Sequence, residues 1–206
     1  MSDNVVISID LGGTYFKAAL VDPDSGNILP GSFAQFPSYS EDAAEVVLDA
    51  LRNVVSHMID LCGSSQVLRI AVDAPGPFDY SRGACIMKHK FRSVYAVPLA
   101  PVMRSVPGIG DIPIQFHHDL HACTYGAWLY DEARDFQRVF CAAIGTGLGT
   151  GFLQEGAIVM QPTGDPRYPL FSAPYGEGIV EDIVSNRGLV QAYAALRGSE
   201  ESLDAK

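Results

Sequence analysis

The turn Asp10-Leu11-Gly12-Gly13-Thr14 closes the first apolar run of the chain, residues 5–9, and a second apolar run follows at 15–22. Two such runs joined by a glycine turn predict a β-hairpin. The turn begins with a carboxylate and ends in a hydroxyl, and glycine lets backbone N–H groups come close to an anion. The stretch therefore predicts a hairpin that could bind phosphate, although an ordinary hairpin in which Asp10 caps the turn explains the same residues.

A second glycine turn, Thr146-Gly147-Leu148-Gly149-Thr150-Gly151, follows the apolar run at 139–143. It lacks the Gly-Lys-Ser/Thr of a Walker A loop, and a strand rather than a helix is predicted after it, unlike in a Rossmann fingerprint. A glycine-rich hairpin with bulges would account for this turn alone. Together, the two turns indicate a pair of anion-binding hairpins that could clamp the phosphates of a nucleotide.

Composition narrows the classes of function. The 206-residue chain has a net charge of -10, 18% charged residues and 48% hydrophobic residues, which is typical of a folded globular protein. Its acidity disfavours nonspecific attraction to nucleic acid or to an anionic membrane. Positive potential for a phosphate would have to come from backbone N–H groups, Lys17 and a bound divalent cation. The four cysteines form no CxxC pair, and no apolar stretch reaches the ~18 residues that cross a bilayer, so we expect a cytoplasmic protein with free thiols.

Strands alternate with helices along the chain, which predicts an α/β fold of two lobes. An amphipathic helix is predicted after a cap at Ser38 or Ser40, and a last helix from about residue 178 to 196. The lobes are predicted to be 1–116, with the first glycine turn, and 117–206, with the second. A further helix is predicted at 120–129. Further strands are predicted at 28–36, 67–72, 112–116, 138–145, 150–154 and 157–160.

Asp119 lies at a predicted strand end, between the two glycine turns in sequence and just before a helix. A sugar hydroxyl is a poor nucleophile, and a carboxylate within hydrogen-bond reach can orient it and accept its proton during phosphoryl transfer. Helix capping predicts the same residue at the same place, and spacing alone favours the cap. The nearby His117, His118 and His121 lack an HExxH pattern and further ligands, so a metal site among them is the less favoured interpretation.

Four segments resemble, in order, those of the ROK family of sugar kinases, whose name stands for repressors, open reading frames and kinases. They are Asp10-Leu11-Gly12-Gly13-Thr14 and residues 71–79, 118–122 and 144–151. The resemblance covers the whole chain. It implies the two-lobe actin/hexokinase-like fold, which is related to ribonuclease H.

The resemblance also implies roles for individual residues. Asp10 would organise Mg²⁺ through water, Asp119 would be the general base, and ATP would donate the phosphoryl group. Phosphate contacts are expected from the two turns and a lysine: Gly12, Gly13, Thr14, Lys17, Thr146, Gly147 and Gly149. Sugar contacts are expected from Gly76, Pro77, His118, Asp119 and Glu181.

The chain departs from the family pattern in three ways. His118 stands where the family usually has Asn, which removes an amide that binds a sugar hydroxyl. Residues 162–178 replace the family's Gly-Glu-Ile-Gly-His segment and its cysteine-rich zinc loop, so no Zn²⁺ is expected and a second sugar-contacting Glu has no clear equivalent. The chain also stops before the family's adenosine-binding segment, and residues 198–206 resemble a helix start that is cut off. We therefore expect an incomplete second lobe.

The leading hypothesis is a glucokinase-like enzyme that phosphorylates a hexose or related sugar with ATP and Mg²⁺, with polyphosphate as an alternative donor. A non-catalytic sugar-binding protein and an inactive fragment stay open as alternatives. The first strand begins at about Val5, which leaves no room for the helix-turn-helix of the family's repressors. The expected partners are a small sugar and a nucleotide, without nucleic acid or membrane, and the family's usual dimers allow a homodimer.

Overall fold

The chain forms two compact units in the computed structural model. The model describes residues 3–88, 90–130 and 132–197. The units are Met1–Asp119 with Thr163–Asp165, and Leu120–Pro162 with Pro166–Lys206. The lobe boundary at residue 117 stays a prediction, and the expected helix start at 198–206 lies outside the described residues.

A mixed sheet forms the centre of the first unit. The strands of this unit are β1 (Asn4–Leu11), β2 (Tyr15–Val21), β3 (Ala34–Pro37), β4 (Gln66–Ala74), β5 (Phe78–Asp79), β6 (Ala84–Cys85) and β7 (Ile114–His118). The sheet has the order β3-β2-β1-β4-β7, in which β1 and β2 form the predicted antiparallel hairpin and β4 and β7 run parallel to β1. The carboxyl ends of β1, β4 and β7 therefore meet at one edge of the sheet, where Asp10 lies opposite Asp73 and Asp73 opposite His117.

Helix α1 (Ala44–Cys62) supplies much of the core of the first unit, and α2 (Leu99–Arg104) is a short second helix. The predicted apolar face of α1 is confirmed, because residues three and four apart along it are buried or partly buried. The predicted cap is wrong. The helix follows Ala43, whose methyl group cannot cap, and Ser38 and Ser40 bind the first glycine turn instead.

The predicted third strand is shorter than expected. It was expected at 28–36, and β3 begins only at Ala34. Pro30 lacks the N–H that a ladder needs, and Gly31 has a positive φ of 76°, so the chain turns here rather than pairing.

Among its described residues, the second unit contains a three-stranded sheet, a two-stranded sheet and three α-helices. Its elements are α3 (Asp119–Tyr130, whose first residue belongs to the first unit), β8 (Arg138–Ile144), β9 (Leu148–Gln154), β10 (Ala157–Ile158), β11 (Pro174–Tyr175), β12 (Gly178–Ile179), α4 (Val180–Ile183) and α5 (Asn186–Arg197). β8, β9 and β10 form an antiparallel sheet, as predicted.

The predicted last helix is divided into α4 and α5. The hydroxyl oxygen of Ser185 accepts a 3.2 Å hydrogen bond from the N–H of Gly188, which caps a new helix. A break therefore falls inside the predicted span because a buried serine begins a second helix there.

Many apolar side chains of the second unit are exposed to solvent. Among its described residues, the buried large apolar side chains are Leu120, Leu148 and Leu153, whereas many others are exposed. The exposed ones include Phe140, Ile144, Leu189, Tyr193 and Leu196. None of the helices in the described part of the chain has both the length and the apolar character to span a membrane.

Candidate functional site

The first glycine turn is held by two serine hydroxyls. Ser38 and Ser40 each donate a 2.6 Å hydrogen bond from Oγ to the carbonyl oxygen of Gly13. The N–H of Ser38 also donates to the carbonyl oxygen of Thr14, at 3.1 Å. The turn is therefore fixed by a segment 25 residues further along the chain, and its geometry does not depend on the hairpin alone.

Two lysines lie beside this turn. Lys17 faces Asp10 across the hairpin, with 3.3 Å between Nζ and Oδ2, and both side chains are more than two-fifths exposed, so the ion pair is weak. Lys90 packs against Gly13: a Cβ on that glycine would lie 2.9 Å from Cδ and 3.4 Å from Nζ of Lys90. Lys90 was not predicted because it lies outside the regular helices and strands, where no periodicity indicates what a side chain contacts.

Three carboxylates lie at the carboxyl edge of the central sheet. Asp10 and Asp73 are opposite each other on β1 and β4, and Asp119 follows β7 as the first residue of α3. Burial, and then the negative charges of Asp10 and Asp119, raise the pKa of Asp73 to about 7. Asp73 was not predicted as a site residue, although a carboxylate within a mostly apolar strand was a signal for one. Ionisation of Asp73 therefore costs the folded protein free energy.

This cost gives a stability prediction. Asp73→Asn is expected to raise the free energy of unfolding by about 2 kcal/mol at pH 8 and by much less at pH 5. The pKa of Asp73 is about 7 in the folded state against an ordinary 3.8, so the folded protein binds the proton more tightly. Stability is therefore lost as the pH rises from about 4 through 7.

Thermal melts of the two proteins at pH 5 and pH 8, with EDTA present, measure this difference. Asp79→Asn is the matched control, because hydrogen bonds from Ser81 and from the N–H of Arg82 lower the pKa of Asp79. The Asp79→Asn substitution should therefore not stabilise the protein at pH 8. Equal stabilisation by Asp73→Asn at both pH values would contradict the assignment.

The side chains of His118 and Asp119 lie next to each other. Nδ1 of His118 lies 3.1 Å from Oδ1 of Asp119. Burial lowers the pKa of His118 to about 4, and the negative charge of Asp165 only partly opposes this, so the imidazole is neutral at pH 7. A Cβ on Gly76 would lie 3.6 Å from Nε2 of the same ring, which brings three of the predicted sugar-site residues together. Pro77 is exposed beside them.

The segment Thr163–Asp165 belongs to the first unit. Gly164 has a φ of 90°, and a Cβ there would lie 3.1 Å from the ring of Tyr80. Thr163 donates a 2.8 Å hydrogen bond to Oδ2 of Asp165, whose charge acts on both His118 and Tyr80. Asp165 is therefore a third site residue that sequence reasoning missed, because it lies in the stretch without periodicity that departs from the family pattern.

The second glycine turn holds a carboxylate. Oε2 of Glu181 accepts a 2.9 Å hydrogen bond from the N–H of Leu148, and a Cβ on Gly147 would lie 2.6 Å from the same oxygen. The turn itself is closed by a 2.9 Å hydrogen bond from the N–H of Gly145 to the carbonyl oxygen of Gly147. The structure thus places Glu181, Gly147 and the neighbouring Thr146 together. The N–H of Leu148 is therefore already satisfied by the Glu181 carboxylate.

The glycine at position 149 is explained by helix packing. A Cβ there would lie 2.7 Å from Cδ2 and 2.9 Å from Cγ of Leu120 on α3. The close approach of α3 to β9 therefore requires a residue without a side chain. A phosphate contact by the backbone of Gly149 stays a prediction.

The residues at the first turn fit a magnesium ion. Among the described residues, no group of three or more His, Cys, Asp or Glu side chains is arranged to hold a metal. Mg²⁺ in phosphoryl-transfer sites is usually held by one or two carboxylates together with phosphate oxygens and waters. Asp10, exposed and next to the negative charge of Asp73, suits that kind of binding.

Comparison with known proteins places this chain in a family. The sequence model of the ROK family matches residues 6–164 of this chain. The N-acetylmannosamine kinase of Citrobacter koseri is 24% identical over 97% of this chain and 67% of the relative. The glucokinase of Streptomyces coelicolor is also 24% identical, over 95% of this chain and 60% of the relative. The chain thus spans about two thirds or less of the length of these relatives.

Solved structures share the fold. The ROK hexokinase from Thermus thermophilus superposes with a TM-score of 0.77 at 21% identity, covering 97% of this chain and 66% of the hexokinase. A ROK family transcriptional regulator, a homologue of the Escherichia coli MLC protein, superposes with a TM-score of 0.77 at 19% identity, covering 98% of this chain and 52% of the regulator. A ROK family glucokinase from Streptomyces griseus in complex with glucose and AMPPNP superposes with a TM-score of 0.70 at 22% identity, covering 94% of this chain and 61% of the glucokinase. The predicted actin/hexokinase-like fold is confirmed, and the chain covers only part of each neighbour.

Proposed function

We propose, because the chain belongs to the ROK family, that it phosphorylates a hydroxyl of a hexose or related sugar with ATP and Mg²⁺. The observation that carries the proposal is the pair His118–Asp119 at the carboxyl edge of the sheet, in the same unit as the first glycine turn. Relatives named as glucokinase and N-acetylmannosamine kinase support the reaction class. The neighbour solved with glucose and AMPPNP supports the choice of a sugar and an adenine nucleotide as ligands.

In this proposal Asp119 accepts the proton of the sugar hydroxyl as that oxygen attacks the phosphoryl group. Asp10 would hold Mg²⁺ through water, and the ion when bound would neutralise charge on the phosphates. Backbone N–H groups and nearby polar side chains of the two turns would bind the phosphates: Gly12, Gly13, Thr14, Lys17, Thr146, Gly147 and Gly149. The sugar would contact Gly76, Pro77, His118, Asp119 and Glu181.

A sugar-binding protein without catalysis is the second candidate. The regulator that shares the fold favours it, because the same architecture occurs in a protein described as a transcriptional regulator. An inactive fragment and polyphosphate as the donor also stay open. A homodimer, a cytoplasmic location and the absence of nucleic acid and membrane partners stay predictions.

Phosphoryl transfer by the 206-residue chain tests the proposal directly. ATP and polyphosphate would each be offered with glucose, N-acetylmannosamine and other hexoses in the presence of Mg²⁺, and the sugar phosphate would be measured. Calorimetric titration with each sugar and with AMPPNP would accompany the assay. Turnover supports the kinase; sugar binding without turnover supports the second candidate. If no sugar binds, both candidates are wrong for this chain.

Lys90 gives a prediction about nucleotide binding. Lys90→Met is expected to weaken AMPPNP binding about tenfold, because a positive charge close to a bound phosphate contributes roughly 1.4 kcal/mol. The ammonium group lies beside Gly13 of the first turn, where the phosphate is proposed to bind. Calorimetry measures the dissociation constant.

Lys88→Met is the matched control, since Lys88 is an exposed lysine of the same segment. It should leave the dissociation constant of AMPPNP within about twofold. Equal effects of the two substitutions would mean that Lys90 acts only through the overall charge.

A further inference from the structure

We propose that the Glu181 carboxylate occupies the anion position of the second glycine turn, the N–H of Leu148, so that a phosphate binds there only when Glu181 leaves. The inference rests on the proposed function, in which the backbone of this turn binds phosphates of the donor. It gives Glu181 a role beyond contact with the sugar, because the same carboxylate then sets the affinity of the turn for the phosphoryl donor.

The carboxylate lies directly against the backbone of the turn. Oε2 of Glu181 accepts a hydrogen bond of 2.9 Å from the N–H of Leu148, and this pair is partly buried. A Cβ at Gly147 would lie 2.6 Å from Oε2 and 3.3 Å from Cδ of the same side chain. The absence of a side chain at 147 therefore leaves room for the carboxylate, which competes with a phosphate oxygen for the same donor.

The backbone that carries Glu181 is tied to the same turn. The N–H of Asn186, the first residue of α5, donates a 2.9 Å hydrogen bond to the carbonyl oxygen of Gly145. The N–H of Val180, the first residue of α4, donates to the carbonyl oxygen of Ala173 at 2.9 Å. These bonds hold α4 beside the turn, so the carboxylate leaves the turn by rotation of its own side chain rather than by movement of the helix.

The charge of Glu181 decides the sign of the effect. Among the described residues, no lysine, arginine or histidine forms an ion pair with Glu181, whereas the neighbouring Asp182 pairs with Arg187 at 3.3 Å. A carboxylate and a phosphate at one backbone N–H are like charges, which repel each other more strongly in a partly buried turn than in water. Removal of the negative charge should therefore strengthen phosphate binding, whereas the loss of a residue that only shapes the turn would weaken it.

Glu181→Gln tests the proposal, because glutamine keeps the shape of the side chain and an acceptor oxygen but loses the charge. Calorimetric titration of the full chain with AMPPNP and Mg²⁺ measures the dissociation constant. We expect AMPPNP to bind about tenfold more tightly to Glu181→Gln than to the unsubstituted protein. Glu177→Gln neutralises an exposed carboxylate on the same side of α4 in sequence. It is the matched control and should leave the dissociation constant within about twofold.

Three results of this titration would overturn the proposal. They are weaker binding of AMPPNP by Glu181→Gln, equal binding, and no binding by either protein. Equal binding is what a residue that only contacts the sugar predicts, and weaker binding is what a residue that only shapes the turn predicts. Circular dichroism of each variant checks that the fold is kept.

Carbon NMR of the Glu181 carboxyl group follows the exchange of partners in the unsubstituted chain. At saturating AMPPNP, we expect the Cδ signal of Glu181 to move to the position of an exposed glutamate such as Glu177. A Cδ signal that stays in place while AMPPNP binds would also overturn the proposal. Tighter binding by Glu181→Gln without any sugar phosphorylation refutes the proposed function alone, and phosphorylation with no gain in AMPPNP affinity refutes the inference alone.

Discussion

Asp119→Asn is expected to lower kcat for sugar phosphorylation by about 10³-fold, with the dissociation constant of the sugar changed less than about fivefold. An asparagine amide keeps the size of the side chain and can still contact a hydroxyl, but it cannot accept the proton that leaves the sugar oxygen. Steady-state kinetics on the preferred sugar and calorimetric titration of that sugar measure the two quantities.

The same substitution separates catalysis from helix capping. Asparagine caps a helix about as well as aspartate, so a purely structural Asp119 would tolerate the change. Asp111→Asn, which alters an exposed carboxylate elsewhere in the first unit, is the matched control and should leave kcat unchanged. If the Asp119→Asn protein turns over at the normal rate, Asp119 is not the base.

Gly151→Ala is expected to lower the free energy of unfolding by about 2 to 3 kcal/mol. A Cβ at this position would overlap Oγ1 of Thr124 and lie 2.6 Å from the carbonyl oxygen of Leu120. The second contact is with backbone, so α3 as a whole must shift away from β9. Urea or thermal unfolding monitored by circular dichroism measures the loss.

Gly145→Ala is the matched control for this prediction. Within the part of the chain that the structure describes, no heavy atom beyond its chain neighbours lies within 4 Å of the Cβ that alanine would add at Gly145. Its effect should stay within about 0.5 kcal/mol. Similar unfolding curves for the two variants would show that close packing of α3 on β9 is not what requires glycine at 151.

Local patterns predicted the elements that form from neighbouring residues. The apolar runs around Gly12 and Gly13 specify the β1–β2 hairpin, and the spacing of apolar residues specifies α1, because both depend on contacts made every second or every third and fourth residue. The cap at Ser38 or Ser40 was predicted wrongly, because a hydroxyl just before a helix has a local partner in principle and here binds Gly13 instead.

Most of the candidate site residues were also predicted, and those missed share a cause. Asp73, Lys90 and Asp165 gain their significance from residues distant in sequence: the register of β1 and β4, the packing of an irregular segment on Gly13, and the return of Thr163–Asp165 to the first unit. No periodic pattern of apolar residues in the sequence predicts such contacts.

The sequence by itself determined the main strands and helices, the two glycine turns, the carboxylate between them and the family. Only the tertiary structure decided the protonation and the partners of individual side chains. His118 is neutral, Asp73 has a pKa of about 7, and the Glu181 carboxylate accepts a hydrogen bond from the N–H of Leu148. The physical reason is that burial and the distance between charges set the protonation and partners of a side chain, and both arise only when the chain is folded.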